Sequence, residues 1–212
     1  MVSMNGNLRG VWWGTCWAVG ILLWATVLPG CAGKQVSRVD TDTTIDLSGN
    51  WNDTDSRLVA EEMITDCLAR PWITQHLQQS GGKLPVMIVG GVRNRSTEHI
   101  PVGTFLKDLE RALINSGEVQ VVADPTERGD LRLERADQWE TASPETVKQL
   151  GQELGADFML TGTIETITDE EGGEKVLFYQ VDLNLSSIET NLKVWAGQHK
   201  IKKYVGMGKY KP

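Results

Sequence analysis

The chain has 212 residues and a formal net charge of -7, with 28 acidic side chains against 21 basic ones. Phosphate would repel such a surface along its length, which excludes general nucleic-acid binding as a leading reading. Less the apolar N-terminus and a polar stretch after it, about 160 residues remain, enough for one domain with a real core.

Residues 11–27 form an almost uninterrupted apolar run behind a single basic residue, Arg9, and contain Trp12, Trp13, Trp17 and Trp24. The run is slightly short of the ~20 residues that span a bilayer and ends in small residues before Cys31, the form of a cleavable export signal. Leu28-Pro29-Gly30-Cys31 resembles the bacterial lipobox, in which the cut falls before a cysteine lipidated on sulfur. The resemblance implies lipidation of Cys31, and Ala32 after it favours the outer membrane over retention at the inner one. The expected division is a signal over residues 1–30, a flexible linker over 31–50 and a globular domain over 51–212. Cys16 would leave with the signal and Cys31 would be acylated, so Cys67 has no intrachain disulfide partner and the fold must rest on its core.

Residues 32–50 are polar, rich in Asp, Thr and Ser, and without periodicity or proline. As a coil, such a linker spans about 25 Å. Asp53-Thr54-Asp55-Ser56 opens a helix, with Val59, Met63 and Cys67 on one stripe, which makes Cys67 a core residue. Arg70-Pro71 ends that helix and starts another carrying Trp72, Ile73 and Leu77.

Val86-Met87-Ile88-Val89, bounded by Pro85 and Gly90-Gly91, reads as a strand buried on both faces, as in a parallel sheet. Beside its end lies Arg93-Asn94-Arg95-Ser96. Phe105, Leu106, Leu109, Ala112 and Leu113 mark an amphipathic helix closed by Ser116-Gly117, and residues 119–123 form the next strand. The polar connection that follows mixes Arg128, Arg132 and Arg135 with Glu127, Asp130 and Glu134. It is either a surface helix laced with charge pairs or a functional loop. Ser143-Pro144-Glu145 opens a further helix with Val147, Leu150 and Leu154 on its face. A third strand covers residues 158–167. After a hairpin loop at 169–173, Leu177, Tyr179, Val181, Leu183 and Leu185 alternate with polar neighbours, and a turn at Glu189-Thr190-Asn191 leads to a last strand over 193–201. The class is α/β, a mixed sheet with flanking helices.

No catalytic constellation emerges. His76, His99 and His199 lie in three different elements without ligand spacing, so neither a metal nor a cofactor is expected. The glycine pairs lack the lysine and hydroxyl of a phosphate loop, and no nucleophile elbow is present. The chain is read as a binding protein, not an enzyme. Exposed arginines suit an interface, which makes Arg93, Asn94 and Arg95, with Arg128, Arg132 and Arg135, the candidate contact residues.

Asp53-Thr54-Asp55-Ser56-Arg57, Leu84-Pro85-Val86-Met87-Ile88-Val89-Gly90, the run from Gly151-Gln152-Glu153-Leu154-Gly155-Ala156-Asp157 to Phe158-Met159-Leu160-Thr161-Gly162, and Lys193-Val194-Trp195 together resemble the LpoB family of penicillin-binding-protein activators. The resemblance implies a fold similar to the N-terminal domain of TolB. It also implies a monomeric outer-membrane lipoprotein whose domain faces the periplasm and activates a bifunctional penicillin-binding protein in peptidoglycan synthesis. Family members have a long proline-rich leash, and the linker here is short. Leu84-Pro85-Val86, the Ser116-Gly117 helix end and Gly155-Ala156-Asp157 also resemble CsgG-like proteins, so the alternative is a subunit of an outer-membrane secretion pore, for which only residues 176–185 resemble a lipid-facing strand.

Overall fold

The computed structural model describes residues 36–41, 43–141, 143 and 153–206. The chain divides into two units, Met1–Thr41 and Asp42–Pro212. The described residues of the first, 36–41, form no helix or strand, and the apolar run and Cys31 lie outside the described residues. No helix among the described residues is long and apolar enough to cross a membrane.

The second unit begins its regular structure with α1, Asp53–Leu68. Its cap is Asn52, one residue ahead of the expected acidic start. Asn52 Oδ1 accepts from the Asp55 amide at 3.0 Å, and Asp55 Oδ2 accepts from the Asn52 amide at 2.9 Å. This reciprocal box satisfies two orphan amides of the first turn. Val59, Met63 and Cys67 are buried, as their spacing predicts. Burial pushes the Cys67 thiol up to about 12. Helix α2, Trp72–Gln79, starts after Pro71, and the Trp72 indole donates back to the Cys67 carbonyl at 2.8 Å.

Strand β1 runs Val86–Asn94, well past the expected four apolar residues. Gly90 and Gly91 do not bound it; they lie inside a register irregularity between Val89 and Val92. A Cβ on Gly90 would stand 2.9 Å from the Leu160 carbonyl oxygen, so only glycine allows this approach of β1 to its neighbour. Helix α3, Val102–Ser116, ends at Gly117 with φ 70°, a left-handed cap that favours glycine. Strand β2 is reduced to Gln120–Val121. The long polar connection is a helix, α4, Pro125–Thr141, started by Asp124 Oδ1 accepting from the amides of Thr126 and Glu127. The helix expected after Ser143 falls on residues outside those described.

Three long antiparallel strands complete the sheet: β3 Phe158–Glu171, β4 Glu174–Ser187 and β5 Lys193–Val205. The hairpin loop is tighter than expected, with only Gly172 and Gly173 between β3 and β4. The five-stranded order is β2-β1-β3-β4-β5, parallel around β1 and antiparallel from β3 onward, so the sheet is mixed and the class α/β. The alternating set Leu177, Tyr179, Val181, Leu183 and Leu185 is buried and joins one cluster with Val59, Met63, Phe105, Leu109 and Leu113 of α1 and α3. Trp51 fills the corner edge-on to Phe105 and Tyr179.

Candidate partner-binding surfaces

Arg93, Asn94 and Arg95 close β1 at the edge of the parallel pair. The ladder to β3 ends at Asn94 opposite Ile164, with one last bond from the Arg95 amide to the Ile164 carbonyl at 2.8 Å. Asn94 turns the chain away there. Its Oδ1 accepts from the Ser96 amide at 2.9 Å and its Nδ2 donates to the Glu98 carbonyl at 2.8 Å, so a short polar side chain replaces the ladder bonds the backbone gives up. The bend is pinned from below, where the Tyr179 hydroxyl donates to the Glu98 carboxylate at 2.7 Å. Burial first, and then Glu98, raise the Tyr179 pKa, so the phenol remains a donor.

Of the two guanidiniums, Arg95 lies 3.6 Å from Glu165 with both side chains about half exposed, a pair of little energetic weight. Arg93 is exposed, and no ion pair of it is present among the described residues. Asn94 therefore shapes the surface that it shares with Arg93 and Arg95, all three exposed.

Arg128, Arg132 and Arg135 form a second group. Their spacing places them on one face of α4, where Arg132 and Arg135 meet Glu153. Arg132 grips it bidentately, Nε to Oε1 at 2.9 Å and Nη2 to Oε2 at 2.8 Å, and Arg135 approaches Oε1 at 3.4 Å. The Arg132 bonds hold the Glu153 carboxyl below its ordinary value, and Glu153 raises Arg132 in return. Part of this arginine charge is thus neutralised within the chain. Helix α4 buries none of its described side chains, and Leu133 and Trp139 are exposed on it. No hydrogen bond or ion pair joins the two arginine groups among the described residues.

A groove of about 620 Å³ lies between α2 and the β4–β5 turn, lined in part by Trp72, His76, Asp157 and Leu192. His76 Nε2 stands 3.8 Å from Asp157 Oδ2, but that carboxylate also accepts from the Val86 amide at 2.8 Å and so fastens β1 beside β3. The neighbouring Ser80 hydroxyl donates to the Lys83 carbonyl. No group of three or more His, Cys, Asp or Glu able to hold a metal ion is present among the described residues.

Sequence reasoning missed one feature of this surface, the stretch of β3 beyond Ile164 that β1 leaves uncovered. Its signal is not local, because it depends on where a different strand ends.

The family model of the peptidoglycan-synthase activator LpoB matches residues 55–201. No curated protein matches the sequence. Among solved structures, the C-terminal domain of LpoB from Salmonella enterica shares 22% identity over 63% of this chain and 94% of its own, with a TM-score of 0.33. The NMR structure of Escherichia coli LpoB shares 16% identity over 85% of this chain and 89% of its own, at TM-score 0.34. The lipoprotein GNA1162 from Neisseria meningitidis shares 18% identity over 57% of this chain and 83% of its own, at TM-score 0.37. The structural overlaps are partial, and the placement rests on the family match.

Proposed function

Because the chain belongs to the LpoB family of peptidoglycan-synthase activators, we propose that it is a monomeric, non-enzymatic outer-membrane lipoprotein that activates a bifunctional penicillin-binding protein. In this reading a lipid on Cys31 anchors it and the domain faces the periplasm. The observation that carries the reading is the extent of the match: residues 55–201 take in almost all of the folded unit, from α1 into β5. Activation by binding requires tighter association with the active state of the synthase, since equal affinity for both states shifts nothing. Arg93, Asn94 and Arg95 at the end of β1, with Arg128, Arg132 and Arg135 on α4, are the contact candidates.

The alternative, a CsgG-like pore subunit, asks for a lipid-facing strand. The segment the sequence offered for it, residues 176–185, turns Leu177, Tyr179, Val181, Leu183 and Leu185 into the core.

The test is capture of the organism's bifunctional synthases by the purified protein, followed by glycan polymerisation with and without it. Binding and stimulation are expected; absence of both overturns the reading. Mass spectrometry of the mature N-terminus checks the anchor, and an unmodified or uncleaved Cys31 overturns the outer-membrane assignment.

A further inference from the structure

The sheet has two long free edges among the described residues, and they differ in how they are guarded. Strand β5 carries Lys193, Lys200 and Lys202 along its length, and lysine on an edge discourages strand addition. Strand β3 is covered by β1 only as far as Ile164. From there, Glu165-Thr166-Ile167-Thr168-Asp169-Glu170-Glu171 continues as strand, paired with β4 on one side, with no lysine and no proline. The open stretch is about 23 Å long.

The direction of its backbone groups follows from two bonds. The Ile164 carbonyl accepts from Arg95, on the β1 side, whereas the Asp157 carbonyl accepts from Ile188, on the β4 side. Alternation along an unbroken ladder then points the N–H and C=O of Thr166, Thr168 and Glu170 outward, away from β4. On the exposed sheet face, Ile167 is 66% exposed. The uncovered slot is therefore a row of open hydrogen-bonding groups with an apolar side chain in its middle and an acidic end at 169–171. It begins where Asn94 bends β1 away.

We infer that this edge of β3, residues 165–171, takes up an extended, basic segment of the synthase as an added strand. The inference rests on the activator reading above and names its contact. Strand addition supplies affinity through main-chain bonds and specificity through alternate side chains. The charges select the occupant. Asp169, Glu170 and Glu171 repel the same edge of a second copy and favour lysine or arginine in the added segment. Ile167 calls for an apolar residue opposite it.

Thr168→Pro in the full chain tests the inference, because the Thr168 amide points away from β4. Proline there removes an edge donor and leaves the β3–β4 ladder intact. Binding to the ectodomain of the organism's bifunctional synthase is expected to weaken about tenfold or more, with the thermal midpoint kept. In the wild-type complex, hydrogen exchange at the amides of Thr166, Thr168 and Glu170 is expected to slow, a readout that does not depend on the variant folding. Unchanged affinity of Thr168→Pro, or wild-type binding that leaves those amides unprotected, overturns this inference alone. Failure of the wild type to bind any bifunctional synthase overturns it together with the activator reading. Self-association that Thr168→Pro abolishes while synthase binding persists assigns the edge to a second copy and overturns the inference as well.

Discussion

Lys203 Nζ lies 2.6 Å from Asp55 Oδ2, with the two side chains 11% and 9% exposed, and the same ammonium donates to Asp46 Oδ1 at 2.7 Å. One cation thus joins β5, α1 and the segment leading into α1. Burial pushes the Lys203 pKa down, but its bonds to Asp46 and Asp55 outweigh this and leave it raised. The Lys203 bond holds Asp46 below the usual carboxylate range.

Lys203→Met leaves Asp55 buried beside a neutral chain and should cost about 3 kcal/mol, measured by urea unfolding near neutral pH. The pH profile gives a second readout. A raised lysine contributes stability that is full below its unfolded value of about 10.4 and is lost as pH rises through the folded value. A lowered aspartate contributes stability present above about 3.9 and lost as pH falls through its folded value. The variant should flatten both limbs, and a profile parallel to the wild type refutes the assignment.

Gly162 lies opposite Leu183 in the β3–β4 ladder. A Cβ added there would stand 2.4 Å from both the Asp182 carbonyl oxygen and Leu183 Cδ2. Gly162→Ala must displace backbone and should cost on the order of 1–3 kcal/mol, read from the urea midpoint. A neutral effect would show that the strands separate more easily than their register implies.

Cys67 is buried in α1, and its thiol is pushed up to about 12 by burial. The thiolate is the reactive form, so alkylation of the native protein at pH 8 should be negligible over hours and rapid once urea unfolds it. Mass spectrometry of the peptide holding Cys67 reads the outcome, and labelling of the native state would contradict the packing.

Arg132→Ala and Glu153→Ala separate the two roles of the α4 arginines. Both partners are substantially exposed and their attraction is screened by solvent, so neither substitution should move the thermal midpoint appreciably. If the guanidiniums meet the synthase, Arg132→Ala weakens binding while Glu153→Ala, which releases them, does not. Equal losses from both would mean that the clamp matters for shape and not for contact.

Legibility in the sequence followed the range of the interactions involved. The alternation from Leu177 to Leu185 identified β4 and its buried side because period two is a local property of one strand. The stripe Val59, Met63 and Cys67 identified α1 in the same way. Gly90-Gly91 looked like a boundary because glycine pairs usually break elements, yet the Leu160 carbonyl across the sheet makes glycine necessary inside β1. Helix α4 reads as either a helix or a loop because it has no buried face to give it a period. Asn94 reads as a contact beside two arginines, and its bonds to Ser96 and Glu98 add a turn-holding role that no local pattern announces. The open edge of β3 was invisible, since nothing in residues 165–171 records that β1 ends opposite Ile164.

The reach of Lys203 also fixes when the domain can be completed. Asp46 and Asp55 are made early, and their shared cation lies 157 and 148 positions later in the chain. On a chain that emerges N-terminus first, the start of α1 and the segment ahead of it lack their shared cation until β5 has left the ribosome. Any product that stops before β5 lacks the fastening of its own beginning.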